Sequence, residues 1–433
     1  MSSRSFPYVF LGGGNAAGYA ASEFLKLQGK GSDLAIITDE PVVSYERPAL
    51  SKAYLAPTSP ARLPGFHSCV GGGGERQTPD WYNTNGITYL TNTKVVSVDI
   101  NSKTLITSTD DVISYEEGLI IGTGARPVTL SDLRTPGDGL KGVFYLRNIT
   151  TADTLVKAIQ SKPAHAVVIG GGYIGLECSA MLSVNGIKTT TVFPESRVME
   201  RLLTPELAEF YESFYKSKNI EMVKDDLVTA VEGNDQGEVT GVVLKSGKKI
   251  DADMVLVGIG AKPNVELFQS KGLELLDQRP GGIKVNGQLE TSVPGVYAVG
   301  DVCAFPLLAA GGTLVRQEHV THARNSAKHA VRAMLGKSSG AEYDYHPVFF
   351  YSRVFNLSWQ FYGFNEGKVV HFGDHSLGKE FGAYWVSDEN KVVGVFLEGG
   401  SAEQNDAVKK VATLQPTAPG DLATQGLSFA LSI

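Results

Sequence analysis

The sequence predicts an α/β chain in which two Rossmann-like dinucleotide-binding domains precede a C-terminal α+β domain. Three observations carry this. The apolar run Val167-Val-Ile169 leads into Gly170, Gly172 and Gly175 at G-x-G-x-x-G spacing, and a helix-like stretch opens at Tyr173. Tyr8-Val-Phe-Leu11 leads in the same way into Gly12-Gly-Gly14-Asn-Ala-Ala17. From about Tyr343 the pattern changes to short alternating strands closed by a helical stretch. At 433 residues the chain exceeds the size at which one core keeps growing, so several domains are expected. The expected division is 1–147 with 286–340, then 148–285, then 341–433.

In such a turn the glycines permit the bend, let the backbone approach a pyrophosphate and let the helix pack against the strand. The helix N-terminus then offers unpaired N–H groups and a positive dipole end. At the first turn a helix over 18–27 follows, and the strand Leu34–Ile37 ends at Asp39-Glu40, where a carboxylate can hold a ribose. At the second turn a strand ends in Phe193-Pro194-Glu195, which places Glu195 in the same role. Two dinucleotide folds imply two dinucleotides, and the common pairing is FAD first and a nicotinamide cofactor second. Glu195 would accept from the 2′-OH of NADH and repel the 2′-phosphate of NADPH. Arg197 and Arg201 soften that choice, so the expectation is NADH preferred with NADPH as a second donor.

Between these signals lies Ser44-Tyr-Glu-Arg47-Pro48-Ala-Leu-Ser51-Lys52, in which Leu-Ser-Lys is expected to start a helix. Residues 56–81 form a Pro- and Gly-rich loop too long for an ordinary connection, expected to pack as a lid or wall near the active site. Strands at 93–99 and 103–107 read as a hairpin-like pair. The segments ending in Thr123-Gly-Ala-Arg-Pro127 and Gly260-Ala-Lys-Pro263 return the chain from each nucleotide fold. Pro294-Gly-Val-Tyr-Ala-Val-Gly300-Asp301 reads as a turn and buried strand ending in a carboxylate free for a ribityl chain. Arg316 to Arg324 leads into an amphipathic helix. In the terminal domain, strands are expected at 348–355, 357–362, 369–372, 381–386 and 392–397, and a helix at 402–414. Tyr351 and Arg353 share a strand face by the period of two.

The formal net charge of −7 argues against nucleic-acid or anionic-membrane partners. No apolar run approaches the ~20 residues of a membrane span. Cys69, Cys178 and Cys303 lie far apart and fit a reducing compartment, with cytosol as the expectation. The polar lead before Tyr8 does not read as a signal peptide, and the terminal Ala430-Leu-Ser-Ile433 makes a poor peroxisomal address. No C-x-x-C or C-x4-C pair exists to carry electrons onward as a disulfide, so reduced flavin must deliver them directly.

Together, GGGNAA, YERPALSK, TGARP, GGGYIGLE, VPGVYAVGD and the terminal α+β domain resemble the two-nucleotide flavoprotein reductases. The likeness is greatest to the monodehydroascorbate reductases of plants and algae. It runs nearly end to end, through ARLPGFHSCVGGGGERQTPDWY, EHVTHAR, FFYSR, NLSWQFYG and FLEGGS. The resemblance implies FAD held by Gly13, Gly14, Asn15, Ala16, Glu40, Arg47, Lys52, Val95, Arg147, Asp301 and Val320. It implies the nicotinamide cofactor held by Gly171, Gly172, Tyr173, Ile174, Gly175, Leu176, Glu177, Glu195, Arg201, Gly260, Glu318 and His319. It places Arg324 and Arg353 on the ascorbyl substrate and Tyr351 against both flavin and nicotinamide. Asn15 departs from the small apolar residue common there. The substrate is expected to be the small radical anion, without an obligate protein partner. Three alternatives remain open: a ferredoxin or rubredoxin reductase, a thiol-disulfide reductase, which would want a cysteine near the Arg47–Ser51 turn, and a non-enzymatic NADH sensor.

Overall fold

The computed structural model describes residues 2–279, 281–376 and 379–433. The apolar end of Ser3–Leu11 is buried at the centre of a seven-stranded sheet. The order is Thr88–Leu90, Leu34–Ile37, Ser3–Leu11, Val112–Ile121, Thr104–Thr107 and Val95–Asp99, with Val296–Ala298 joined to Val112–Ile121. The strands around the first glycine turn are parallel, and Leu11 stands opposite Ile37. Both strands therefore end at one level, the sheet edge where α/β folds bind ligands.

A second parallel sheet repeats the arrangement. Its order is Ile220–Val223, Lys188–Val192, His165–Ile169, Met254–Val257 and Val143–Tyr145. The duplication extends to atomic detail. Gly12 has φ +125° and Gly170 φ +120°; a Cβ on either would lie 2.2 Å from the carbonyl oxygen of Gly122 or Gly258 respectively. Each turn is thus pressed against the strand returning from its own fold, and only glycine fits. The two return segments, Ala125–Pro127 and Ala261–Pro263, then pair with each other.

The terminal strands form one antiparallel sheet in the order Phe349–Val354, Leu357–Gly363, Val392–Glu398, Phe381–Val386 and Lys368–Gly373. One face buries Tyr362, Tyr384 and Leu397 under Val408 and Val411 of the helix Ala402–Leu414. That helix starts at a capping box of Ser401 and Gln404. The other face lays Trp359, Phe361 and Phe396 against Leu207, Tyr211 and Phe214 of Pro205–Ser217. The helix Pro205–Ser217 connects Lys188–Val192 to Ile220–Val223 within the second nucleotide fold, so this contact fastens the terminal sheet to it. At roughly 1.5–3 kcal/mol for each large apolar side chain removed from water, the contact holds the sheet in a fixed place.

Three expectations change. The first helix begins at Asn15 rather than at 18, because its first turn must lie at Gly14 to face the glycine loop. Leu50-Ser-Lys52 starts no helix. It is a turn between the short 3-10 segments Arg47–Ala49 and Ala53–Leu55, because Ser51 and Lys52 are drawn to a distant carboxylate, described below. Part of the long loop is helical: Thr78 caps Pro79–Thr84, which contains Trp81 and Tyr82. The middle of the loop packs down through buried Phe66, which meets Tyr45 and Tyr54 edge-on, while 57–60 and 71–76 stay exposed. Gln77 Nε2 donates to the Gly18 carbonyl at 2.8 Å, and Ser68 Oγ to Asn15 Oδ1 at 3.2 Å.

Candidate active site

At the first turn, Gly14 and Asn15 open the helix Asn15–Lys26 with no side chain capping its N–H groups. A Cβ on Gly13 would strike Thr38 at 2.5 Å, while one on Gly14 would meet only the Arg47 guanidinium at 3.7 Å. Ala16 is buried beneath the turn. The Asn15 side chain faces Ser68 of the long loop, so the polar residue in this position anchors the wall. Glu40 is buried and ion-paired with Arg47, and Tyr45 OH donates to Glu40 Oε2 at 2.5 Å. Arg47 Nη1 also donates to the Arg147 carbonyl at 3.1 Å. Arg147 Nη2 in turn holds Asp301 Oδ2 at 3.1 Å. Glu40–Arg47 and Arg147–Asp301 are therefore two ion pairs joined through the Arg147 carbonyl, and Asp301 is paired rather than free. Val95 begins the strand Val95–Asp99, and Val320 is the first residue of the helix Val320–Met334.

At the second turn, Gly172 opens the helix Tyr173–Val184, again without a side-chain cap, and a Cβ there would meet nothing within 4 Å. Gly171 packs on Phe193 and Gly175 on the Gly170 carbonyl. Ile174 is exposed, whereas Leu176 is buried and its carbonyl accepts from Tyr215 OH at 3.1 Å. Tyr173 turns away from the turn, its ring 5.7 Å from Trp359 and 6.1 Å from Phe350. Glu195 is half-buried at the end of its strand. Arg197 reaches Glu200 at 3.3 Å, and Arg201 is exposed, its carbonyl bonded by Asn365. Gly260 has φ +122° and its carbonyl accepts from Val128 N–H at 2.9 Å. Glu318 is exposed and paired with Arg316.

The two halves meet at Glu177. This residue is only 3% exposed, on the second nucleotide helix, yet it collects three groups from two other parts of the chain. Lys52 Nζ lies 2.7 Å from Oε2, Ser51 Oγ also donates to Oε2, and Ser352 Oγ donates to Oε1 at 2.7 Å. Ser51 thus stands at the turn where a thiol-disulfide reductase would place its cysteine. Ser352 lies between Tyr351 and Arg353 on the first terminal strand, so its bond fixes both neighbours. Burial raises the Tyr351 phenol's pKa. Arg324 and Arg353 oppose that shift, and Glu177 and Glu46 reinforce it. The His319 ring, which caps the helix carrying Arg324, lies 5.5 Å from the Tyr351 ring, and Arg353 follows two residues on along the Tyr351 strand.

Arg324 is the least free of them. Its Nη2 donates to Glu46 Oε2 at 2.7 Å and its Cζ sits 5.2 Å from the Tyr19 ring centre. Its Nε is buried without a hydrogen-bond partner among the described residues. His319 caps the same helix: Nδ1 accepts from Thr321 N–H at 3.3 Å and lies 3.2 Å from Tyr345 OH. That assigns the ring proton to Nε2, which is also buried and without a partner among the described residues. Burial, then the Arg324 charge, pushes the His319 pKa down to about 3, so the ring is a neutral donor near pH 7. Glu46, Tyr19, Ser51 and Ser352 are the site residues that motif reading missed. Glu46 and Ser51 lie inside YERPALSK and Ser352 inside FFYSR, so the position of three of the four was already marked.

The residues fit two dinucleotides on these observations: two uncapped helix N-termini, open space at Gly172 and room bounded only by Arg47 at Gly14, and donors on His319 and Arg324 without a partner among the described residues. Beneath them, His322 is fully buried, bonded to Tyr343 OH at 2.9 Å and 3.6 Å from Cys303 Sγ. Burial lowers its pKa to about 4. Because that lies below the unfolded value of about 6.5, His322 stabilises fully above ~6.5 and the contribution is lost as pH falls towards 4. The loss amounts to about 3 kcal/mol at pH 4. The melting temperature of the flavin-loaded protein should fall as pH drops from 7 to 5, and more steeply than that of His322→Asn. Parallel melting curves for the two proteins would remove His322 as the source. Cys69 is buried, and burial pushes its thiol up to about 12, so it is no nucleophile near pH 7.

Known proteins share this arrangement. The sequence profile of the pyridine nucleotide-disulphide oxidoreductases matches residues 6–332, which places the chain in that class of two-nucleotide oxidoreductase, with FAD and a pyridine nucleotide as cofactors. The profile of the monodehydroascorbate reductase 3-like C-terminal domain matches residues 347–430. Monodehydroascorbate reductase 2, peroxisomal, of Oryza sativa subsp. japonica is 51% identical, covering 99% of this chain and 90% of its own length. Monodehydroascorbate reductase of Solanum lycopersicum is 49% identical over 100% of both chains, and that of Pisum sativum 48% over 99% and 100%. The chain belongs to the monodehydroascorbate reductase family. Among solved structures, a ferredoxin reductase of Rhodopseudomonas palustris superposes with TM-score 0.86 at 28% identity, covering 98% of this chain and 100% of its own. The putidaredoxin reductase–putidaredoxin complex gives 0.85 at 26% identity, with 98% of each chain covered.

Proposed function

We infer that the chain is an NADH-dependent reductase of the monodehydroascorbate radical. The observation that carries this is the contact of the His319 and Tyr351 rings, 5.5 Å apart, which sets the helix of Arg324 against the strand of Tyr351 and Arg353 at the junction of the two nucleotide folds. Bound flavin supplies the conversion of a hydride from NADH into electrons released one at a time. The protein's own residues position and select. Glu40, Arg47, Arg147 and Asp301, with Gly13, Gly14, Asn15, Ala16, Lys52, Val95 and Val320, would hold the flavin. Residues 171–177, with Glu195, Arg201, Gly260, Glu318 and His319, would hold the nicotinamide cofactor. Arg324 and Arg353 bind the small anion's oxygens, for which guanidinium donors are suited. Tyr351 closes the site between the cofactors and the substrate.

NADH is the preferred donor on this reading, because Glu195 is available at the strand end and Arg197 is engaged by Glu200. The units are 1–147 with 286–340 for FAD, 148–285 for the nicotinamide cofactor and 341–433 as the terminal domain. Short strands tie them across the joins: Val143–Tyr145 pairs in the second sheet, and Gly282–Lys284 pairs with Cys303–Leu307. No described helix is long and apolar enough to cross a membrane. We assign the cytosol, in keeping with three free, buried cysteines, and a fluorescent fusion imaged against peroxisomal and cytosolic markers tests it.

The test of activity follows NADH loss with the radical generated from ascorbate and ascorbate oxidase, and with ferricyanide and a ferredoxin as comparison acceptors. Saturable oxidation with the radical, well above the ferredoxin rate, is expected. Turnover with ferricyanide alone would overturn the assignment of the acceptor.

A further inference from the structure

Glu46 lies inside the site and is used by none of the cofactor or substrate roles above. The residue is 6% exposed, and its carboxylate receives three donors from three distant segments. They are Arg324 Nη2 at 2.7 Å, Tyr19 OH at 2.8 Å and the Gly71 N–H of the long loop at 3.1 Å. Its own N–H donates to the Phe66 carbonyl at 2.8 Å, so backbone and side chain are both fixed. The fit is close on every side. A Cβ on Gly71 would lie 2.4 Å from Arg324 Nη2, and Tyr19 carries Arg324 on its ring and Lys328 Nζ at 5.2 Å.

This arrangement has two consequences. It fixes the direction of the guanidinium, and the buried Nε is left without a hydrogen-bond partner among the described residues. It also places a negative charge against Arg324, so that beyond the pair the arginine acts as a dipole rather than a free cation. Interaction with a dipole falls off faster than with a charge and scales less steeply with the ligand's own charge.

We propose that Glu46 is a specificity-determining positioning residue: it pins Arg324 and offsets its charge, so that of the two arginines at the acceptor site only Arg353 acts with its full charge, and the pull on multiply charged anions is weakened relative to neutral acceptors. This rests on the reading above only in placing the two arginines at the acceptor site.

The test uses two artificial acceptors on the FAD-loaded enzyme with NADH. One NADH gives two electrons and one proton; two ferricyanide trianions each take one electron to become ferrocyanide. Benzoquinone, which is neutral, takes two electrons and two protons, the second from solvent. The quantity read is the ratio of kcat/KM for ferricyanide to that for benzoquinone, at low and high salt.

Glu46→Gln keeps the shape and removes the charge, and should raise the ratio about tenfold at low salt, with the gain shrinking at high salt. Arg324→Gln leaves Glu46 unopposed and should lower the ratio. The double variant should return it close to wild type. Tyr19→Phe removes a hydrogen bond and no charge, and should leave the ratio unchanged while raising KM for both acceptors. Glu46→Asp, which keeps the charge, should restore the wild-type ratio.

A Glu46→Gln ratio within about twofold of wild type at low salt overturns the proposal, as does an equal rise in Tyr19→Phe. If Glu46→Gln fails to retain flavin, the sign of the Arg324→Gln change decides alone, and no fall overturns it. Neither acceptor is the radical, so failure here leaves radical reduction standing. Absence of radical turnover in the wild-type enzyme would sink that reading without moving the ratio.

Discussion

Replacing Arg324 by alanine should raise KM for the radical by about ten- to a hundredfold, the worth of one or two hydrogen bonds to a charged group. NADH-driven flavin reduction, followed by stopped-flow bleaching in the absence of acceptor, should change by less than about twofold, because the interaction lost is with the acceptor. Stability should also fall. Glu46 loses its cationic partner while 92% of its side chain remains out of solvent, although Tyr19 OH and the Gly71 N–H still bond it. Removing one member of a buried pair costs about 3–5 kcal/mol, and the two remaining donors reduce that to about 1–3. Arg353→Ala is the contrast. Arg353 is exposed, so its loss should leave stability within about 0.5 kcal/mol while raising KM severalfold. An unchanged KM in Arg324→Ala would remove that residue from the acceptor site.

The contrast between these two arginines also marks what local sequence reveals. Tyr351 and Arg353 share a strand, so their common face follows from a period of two. Both glycine turns were legible for a similar reason, since the strand, the glycines and the helix lie within about 20 residues of one another. The five terminal strands were legible as alternating runs, but not their order, which depends on pairings between distant segments. The Glu46–Arg324 pair joins residues 278 apart, and Ser352–Glu177 residues 175 apart. No local pattern encodes such contacts. Glu46 read as one acidic residue in a turn motif, and Asn15 as a departure from a small apolar residue. Folding brings each to the long loop, where Glu46 meets Gly71 and Asn15 meets Ser68. The expected helix at Leu50-Ser-Lys52 failed for the same physical reason: Glu177, remote in sequence, draws Ser51 and Lys52 out of local geometry.

Glu177 therefore carries the second large effect. Lys52→Met should slow flavin reduction by NADH by about a hundredfold on the proposal that the Lys52 ammonium holds the flavin, the size of effect seen when one preorganised donor is removed. It should also lower the free energy of unfolding by about 1–3 kcal/mol, less than for a fully buried pair. The reduction has two causes: the Lys52 side chain is 21% exposed, and the hydroxyls of Ser51 and Ser352 stay on the carboxylate. The two effects separate in the double variant Lys52→Met/Glu177→Gln. With no unpaired carboxylate left inside, its stability to urea should recover most of the loss. Its rate of flavin reduction should stay low, because the ammonium is still missing. If the rate recovered along with the stability, Lys52 would matter only for holding Glu177 in place. If Lys52→Met left flavin reduction unchanged, the Lys52–Glu177 pair would serve only to lock the first nucleotide fold onto the second.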